Sequence, residues 1–355
     1  MENTTTKKAD YHDTEFFMQR NLNLNDYLES HIKENFKKSF FPHLDATHNP
    51  LTGNVYKGFT AINTNILREV RGFEHGGMIP SRMVNKLAGW VKSGERAIRI
   101  FNHVERKYFD EGANDITEEV RAKKDANEPI DKEYFTESKP LHYAVFSVNQ
   151  INNLSDEFYQ KKRENWAKHD DVITEIDKLT KQLQVSVNHS DKAKSIHYNE
   201  GNDTIFIPAP DSFQEKFEYI DKILPMIAES LNHPERLNRK LDPITSSKDH
   251  LGSKLADELT AGAIAQELGY YKTITDDVAL IKEWQRVLKA DPYFLHNTAK
   301  LMKGSLAYVN QVVEKRQVKL KEESAMSVEK SMALLEQDSQ KKTMKRKTVK
   351  ANGRK

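Results

Sequence analysis

Apolar residues recur at three- and four-residue steps in several segments, and each segment is predicted to form a helix with one buried face. The clearest stripe consists of Phe217, Ile220, Leu224, Ile227 and Leu231. Further helices are predicted over residues 15–38, 80–90, 156–165, 171–183, 253–268 and 277–290. Ser81 is the predicted N-cap of the helix over 80–90, because a serine oxygen accepts hydrogen bonds from free backbone amides there.

Alternating apolar and polar residues predict strands in both halves of the chain. In the first half, residues 96–101 and 141–148 are predicted strands, and the acidic stretch 110–138 is predicted to be a solvated loop or an insertion between them. In the second half, residues 184–188 are predicted to form a further strand. The pattern indicates an α+β protein, with a small sheet and helices first and a mainly helical part with a short sheet second.

Composition limits the class of protein further. A chain of 355 residues has room for two domains and a tail, which we place at residues 11–155, 156–315 and 316–355. Charged residues make up 30% of the chain and the mean hydropathy is -0.76. No run of eighteen apolar residues occurs, and the polar residues 1–10 are predicted to be disordered, so neither a membrane span nor a signal peptide is expected. The absence of cysteine excludes disulfides and thiolate metal sites and fits a cytoplasmic location.

Charge is unevenly distributed, although the formal net charge is only +2. Residues 57–107 carry ten basic and four acidic side chains, and Tyr56 and Trp90 lie beside or within this stretch. Cations that contact phosphates and rings that stack on unpaired bases are what single-stranded DNA binding requires. Residues 341–355 hold eight basic side chains and no acidic one, which predicts a disordered arm with sequence-independent affinity for polyanions.

The segment at the end of the clearest stripe carries a motif. Residues 233–239 read His-Pro-Glu-Arg-Leu-Asn-Arg and resemble the sequence that follows the zinc-binding helix of ArdC-type antirestriction proteins. In that family the helix reads His-Glu-Leu-Ala-His, whose histidines share a zinc ion while the glutamate activates its bound water. The alignment puts Pro225 and Glu229 at the histidine positions and Met226 at the glutamate position. The resemblance therefore implies a zincin-like domain that has lost its catalytic residues, which makes the chain a pseudoenzyme.

Other segments resemble the same family. Residues 49–58 match Asn-Pro-x-Thr-Gly-x-x-Tyr-x-Gly, the opening signature of the family's single-stranded-DNA-binding domain. Residues 196–208 match the hairpin before the zinc helix, and Glu95 and Gln150 match positions in the first domain. Residues 256–262 resemble the segment with the family's third metal ligand, at Asp257 or Glu258, but Gly262 replaces its last glutamate.

The resemblance implies a protein of plasmids, phages or integrative elements that binds single-stranded DNA and shields it from host nucleases. The candidate DNA-binding residues are Tyr56, Lys57, Lys86, Trp90, Lys92, Arg96 and Arg99. The vestigial metal positions are Pro225, Met226, Glu229 and Glu258, so no cofactor is expected, although the family binds zinc.

Two alternatives remain open. One is a metal-dependent peptidase whose zinc site is rewired through His233, His197, Glu229 and Glu258. The other is an interaction module that holds a peptide in the dead cleft without cutting it. A host nuclease or another protein is a further candidate partner, and no membrane is expected as a partner.

Overall fold

Helices and small sheets alternate along the chain. The computed structural model describes residues 4–125, 128–129, 133–159, 166–189 and 196–314. The helices are α1 (Thr4–Lys33), α2 (Gly58–Arg71), α3 (Ser81–Val84), α4 (Thr117–Asp125), α5 (His169–Leu183), α6 (Lys216–Ser230), α7 (Lys248–Glu267), α8 (Val278–Ala290) and α9 over residues 294–314. The strands are β1 (Met78–Pro80), β2 (Trp90–Val91), β3 (Ile98–Phe109), β4 (Phe135–Ser147), β5 (Ile151–Asn152), β6 (Ser186–His189), β7 (His197–Asn199) and β8 (Thr204–Ile207). The predicted α+β class is confirmed.

Among the described residues, the strands form two three-stranded sheets and a small ribbon. In the first sheet the order is β1-β4-β3 and both pairings are antiparallel. The ribbon joins β2 to β5. In the second sheet β8 is central, parallel to β6 and antiparallel to β7, so the predicted strand and hairpin of the second half are confirmed.

One hydrophobic cluster joins the two halves of the chain. It contains Leu28 of α1, Ile62 of α2, Ile100 of β3, Leu255 of α7 and Trp284 of α8, together with apolar residues of α9. The first two helices therefore pack on helices of the second half. A second cluster joins α5, α6 and β8 to α7. The domain limits at residues 155 and 156 stay a prediction.

The first helix differs from its prediction at both ends. It begins at Thr4, so the disorder predicted for residues 1–10 is wrong from Thr4 onward. It ends at Lys33, because Asn35 and Phe36 have positive φ angles of 55° and 60°, which no right-handed helix accommodates. The remaining residues of the predicted helix, up to 38, are not helical.

Of the two alternatives predicted for the stretch 110–138, its described residues form the insertion rather than a simple loop. Strands β3 and β4 extend past the predicted limits and pair as far as Phe109 with Phe135, and α4 lies between them. Only Val120 is a buried apolar residue of α4, so this helix has no apolar stripe that a sequence pattern could reveal. Backbone pairing likewise extends the hairpin without needing apolar residues.

The helix predicted over 80–90 is short. It consists of α3 and a 3₁₀ turn over Asn85–Leu87, and Ala88 ends it with a φ of 55°. Ser81 is its first residue rather than its N-cap, and no side chain caps it. Gly89 approaches the Ile151 side chain so closely that an added Cβ would lie 2.9 Å away, and the chain then enters β2.

Helix α2 was missed because its buried face is mixed. Thr60, Asn63, Thr64, Asn65 and Arg68 are buried beside Ile62 and Ile66, which hides the helical period. Of the helix predicted over 156–165, the structure describes a 3₁₀ turn at Asp156–Tyr159; the remainder, and the predicted tail over 316–355, lie outside the described residues. Within the described ranges no helix is both long and apolar enough to cross a bilayer.

Candidate functional site

Helix α6 carries the three replaced positions of the metal motif. Its buried face consists of Ile220, Leu224, Ile227 and Leu231, all with no exposed surface, whereas Phe217 is 44% exposed and so does not belong to the predicted stripe. Pro225, Met226 and Glu229 are partly exposed along the other side. The helix is continuous through Pro225, although proline removes one backbone hydrogen bond.

The motif after α6 is a structural clamp. Arg236 donates to the carbonyl of Ser230 (2.7 Å) at the end of α6 and to the Asp203 carboxylate of the hairpin (2.9 Å). The Tyr198 hydroxyl donates to the same carboxylate at 2.7 Å. All three side chains occupy positions that match the family motif, and they fasten the hairpin to the end of α6. Hydrogen bonds from Arg236 and Tyr198 outweigh burial and lower the pKa of Asp203.

In the first half of the chain, too, residues that match the family motifs form structural hydrogen bonds. The Gln150 amide donates to the Glu95 carboxylate at 2.7 Å and to the carbonyl of Arg96 at 3.0 Å. Gln150 also caps its own 3₁₀ turn by accepting from the backbone of Ser147. The family-like residues Glu95 and Gln150 therefore serve the scaffold.

Beside α6 the structure places an ion pair and a buried acid. Lys254 of α7 contacts Glu229 at 2.7 Å. Asp257 follows one turn later, is only 5% exposed, and accepts a hydrogen bond from Asn232 at 3.3 Å. Burial, and then the neighbouring Glu229 carboxylate, raise the pKa of Asp257 to about 7.

Glu258, the other candidate for the third ligand position, interacts with Lys272 and not with the replaced metal positions of α6. Its carboxylate pairs with Lys272 at 2.6 Å and accepts from the backbone of Thr275 at 2.9 Å. His197 stacks on Phe206, and His233 accepts from the backbone of Glu235 through Nδ1. The structure therefore does not bring the four residues of the rewired zinc hypothesis together.

The side chains between α6 and α7 do not fit a zinc ion. Zinc sites use three or four donors from histidine, cysteine or carboxylate, and the described residues contain no group of three or more such side chains that could hold a metal. The carboxylates of Glu229 and Asp257 interact electrostatically, and the ammonium group of Lys254 already acts on both of them.

The raised pKa of Asp257 predicts a pH dependence of stability. The carboxyl group of Asp257 binds its proton more tightly in the folded state than in the unfolded state. The stability that this protonation contributes is therefore lost as pH rises from about 4 to about 7. We expect Asp257→Asn to raise the melting temperature relative to the natural chain by several degrees at pH 8 and by little at pH 4. Thermal melts across this range test the prediction, and a constant difference at all pH values would contradict it.

The motif over residues 49–58 forms a tight loop followed by the start of α2. The Asn49 side chain accepts from the backbone of Leu51, and its carbonyl accepts from the backbone of Gly53 at 2.9 Å. Gly58 has a φ of 55°, and a Cβ there would lie 3.9 Å from the carbonyl of Ala299 in α9. The motif thus shapes a turn and packs the beginning of α2 against α9.

A groove of about 1020 Å³ opens at this junction. Its walls are the motif loop, the first turn of α2, residues 80–82, β4 and α9. Its basic residues are Lys57, Arg82, Lys300 and Lys303, which are all exposed. Within the described part of the chain none of these four makes an ion pair within 4.0 Å.

The first turn of α2 adds to the positive potential of the groove. No side chain caps this helix, and its first turn contains no acidic residue. A helix N-terminus presents free backbone N–H groups and a partial positive charge to anions. The four basic side chains and this helix end therefore surround one concave surface.

Only part of the predicted DNA-binding set lies in this groove. Tyr56 and Lys57 line it, but the ring of Tyr56 is buried, contrary to the expectation that it is exposed for stacking. The other predicted residues, Lys86, Trp90, Lys92, Arg96 and Arg99, are exposed but do not line the groove.

These residues lie in other parts of the first half. Trp90 is 54% exposed on the β2–β5 ribbon, and Lys92 beside it donates to the carbonyl of Asn149. Arg99 is exposed between the buried residues Ile98 and Ile100 of β3. Their role in DNA binding stays a prediction from the sequence, and they form no part of the groove.

Sequence reasoning missed three basic residues and one ring of the groove. Lys300 and Lys303 follow His296 at helical spacing, which places all three on one face of α9. Arg82 follows α3's first residue, and the half-buried Tyr143 comes from β4. The sequence shows the helical spacing of the two lysines, but it does not show that they lie opposite the loop over residues 49–58.

The second half of the chain is similar to a known domain family. Residues 174–301 match the family model MPTase-PolyVal, described as a zincin-like metallopeptidase. No match to a curated protein was found.

Among solved structures, the chain is similar to the antirestriction protein ArdC from the R388 plasmid. The metal-free crystal structure superposes with a TM-score of 0.61 at 16% identity and covers 82% of this chain and 96% of that chain. The Mn(II)-bound structure gives a TM-score of 0.59 at 17% identity and covers 82% and 97%. The chain has the ArdC fold with a zincin-like domain, and the predicted resemblance to the ArdC type is confirmed.

Proposed function

We propose that this protein is an antirestriction-type protein that binds single-stranded DNA in the basic groove, while its zincin-like part does not act as a peptidase. The observation that carries the proposal is the convergence of Lys57, Arg82, Lys300 and Lys303 on the groove that the motif loop forms. A nucleic-acid strand would be held there by phosphate contacts that do not depend on its sequence. Bound DNA of a mobile element would be sterically shielded from a host nuclease in the cytoplasm.

The groove also offers a ring for a base. Tyr143 is half-buried on its wall, and Phe59 and Tyr56 lie beneath the surface. Stacking on an aromatic ring is available only to unpaired bases, which supports a preference for single strands. A duplex offers phosphates to the same cations but no free base to Tyr143.

The failure of the α6 cleft to assemble a ligand set supports the second part of the proposal. Proline and methionine at positions 225 and 226 supply neither a zinc ligand nor a proton acceptor. We therefore expect no metal-dependent cleavage of peptides, and one tightly bound zinc ion per chain with peptidase activity would overturn this part.

The DNA part of the proposal is tested by exchanging the ring. Tyr143→Ala is expected to weaken single-strand binding about tenfold, since stacking contributes about 1–3 kcal/mol per base. Duplex binding should stay within about twofold of the natural chain, because a duplex offers no base for stacking. Tyr143→Phe is the control, because it keeps the ring and should keep the affinity. Fluorescence anisotropy with labelled single- and double-stranded oligonucleotides measures all three chains.

The proposal fails if the natural chain binds both DNA forms equally, or binds neither. It also fails in its structural detail if Tyr143→Ala and Tyr143→Phe bind single strands as well as the natural chain does. The basic arm over residues 341–355 contains no aromatic residue, so it is expected to add affinity for both DNA forms alike.

A further inference from the structure

We propose that the ammonium group of Lys254 takes the place of the metal ion in this zincin-like fold, so that the contact between α6 and α7 carries its own cation. The proposal concerns the chain's own residues and is independent of DNA binding. It starts from the disagreement between the fold, which has a place for a metal, and the side chains, which do not fit one.

Glu229 of α6 is held in an ion pair with Lys254 of α7. It lies four residues after Pro225 on α6, at the position that the resemblance assigns to the second histidine. Its carboxylate oxygen Oε1 is 2.7 Å from Nζ of Lys254, and the two side chains are only 20% and 28% exposed. A contact of this length is a charge-assisted hydrogen bond.

The neighbouring acid is Asp257, which lies one turn after Lys254 on α7, at a position matching the family's acidic segment. It is 5% exposed, and its Oδ2 has no hydrogen-bond donor among the described residues. Two poorly solvated carboxylates that repel each other are stabilised by nearby positive charge. Lys254 is in direct contact with Glu229, and both Lys254 and the more distant Arg239 act electrostatically on Asp257.

A metal ion and the ammonium group of Lys254 differ as cations. A metal ion bridges the ligands of two helices and depends on its free concentration, whereas a lysine is covalently part of α7 and is always present. A divalent ion entering between Glu229 and Asp257 would meet the ammonium group at close range, and the repulsion would oppose binding. The ion pair thus fastens α6 to α7 and excludes a metal at the same time.

Lys254→Met tests the proposal, because methionine keeps the apolar length of the side chain and removes its charge. The probe is Mn(II), the ion present in one of the ArdC crystal structures to which the chain is similar. We expect the variant to bind Mn(II) at least tenfold more tightly than the natural chain in calorimetric titration. We also expect Mn(II) to raise the melting temperature of the variant and to leave that of the natural chain unchanged.

Two further variants serve as controls. Lys254→Arg keeps a positive charge and is expected to behave as the natural chain does toward Mn(II). Lys254→Met combined with Glu229→Gln removes one carboxylate and is expected to lose the gain in Mn(II) affinity. Chelation with EDTA should leave the melting temperature of the natural chain unchanged, since no metal fastens its helices.

Several outcomes would overturn the proposal. Equal Mn(II) affinity in the natural chain and in Lys254→Met would show that lysine and metal do not compete. Tight Mn(II) binding by the natural chain, or a drop in its melting temperature with EDTA, would show that a metal and not Lys254 fastens the cleft. Each of these results would leave the proposed DNA binding untouched.

Discussion

Replacing Lys272 with methionine is expected to lower the free energy of unfolding by about 3–5 kcal/mol. Lys272 and Glu258 are 2.6 Å apart, and their side chains are only 3% and 6% exposed. The lysine also donates to the carbonyl of Thr273, and the glutamate accepts from the backbone of Thr275. Methionine would leave the Glu258 carboxylate buried without its counter-ion, which is the costly half of a broken pair.

The ion pair of Lys178 with Glu175 provides a matched control. Its side chains are 58% and 51% exposed, so Lys178→Met is expected to cost less than about 1 kcal/mol. Combining Lys272→Met with Glu258→Leu should recover much of the loss, because no unpaired charge then remains. Urea denaturation measures all variants. A loss for Lys272→Met no larger than that for Lys178→Met would contradict the assigned burial of the pair.

The elements with a regular apolar period were predictable from the sequence. Helix α8, predicted over 277–290, begins one residue later at Val278, and Asp277 is its N-cap. The buried stripe of α6 also follows from the pattern, except at Phe217, whereas the hairpin before α6 was predicted from the family resemblance. These elements bury one clean apolar face, so local sequence and tertiary packing agree.

Other elements were not predictable because the buried face is not apolar. Helix α2 buries Asn63 and Arg68, and Arg68 forms hydrogen bonds to the carbonyl and the carboxylate of Asp45. The beginning and end of α1 likewise depend on the surrounding backbone. A periodicity argument treats buried polar residues as exposed and so misses these elements.

The candidate site was predictable only in part. The motif loop was recognisable, and the replaced metal positions on α6 were readable directly. The groove, however, joins residues 49–58 to Lys300 and Lys303 of α9, which are far apart in the sequence. The role of Lys254 could not be predicted from the sequence, since a lysine on a helix is ordinarily a solvated residue.

The central claim is that the groove, rather than basic charge in general, binds single-stranded DNA. Lys300→Ala with Lys303→Ala removes two charges that line the groove. Lys86→Ala with Lys92→Ala removes the same charge from exposed positions outside it. The two double variants have equal net charge, so any difference between them reports where the DNA lies.

Counterion release gives the expected size of the effect. Each phosphate that a lysine neutralises in a single strand contributes about 0.7 to the slope of log affinity against log salt. At about 0.1 M salt, the removal of two such lysines therefore makes the complex roughly 25-fold weaker and reduces the slope by about 1.4. The control variant should lose only the small, long-range attraction of two distant charges, about twofold.

The decisive measurement is fluorescence anisotropy of a labelled single-stranded oligonucleotide with both double variants over a series of salt concentrations. The account predicts a roughly 25-fold weaker complex and a reduced salt slope for Lys300→Ala with Lys303→Ala, and nearly natural binding for Lys86→Ala with Lys92→Ala. Equal effects in the two variants, or a larger effect in the second, would contradict the groove as the DNA-binding site and assign binding to the surface around Trp90.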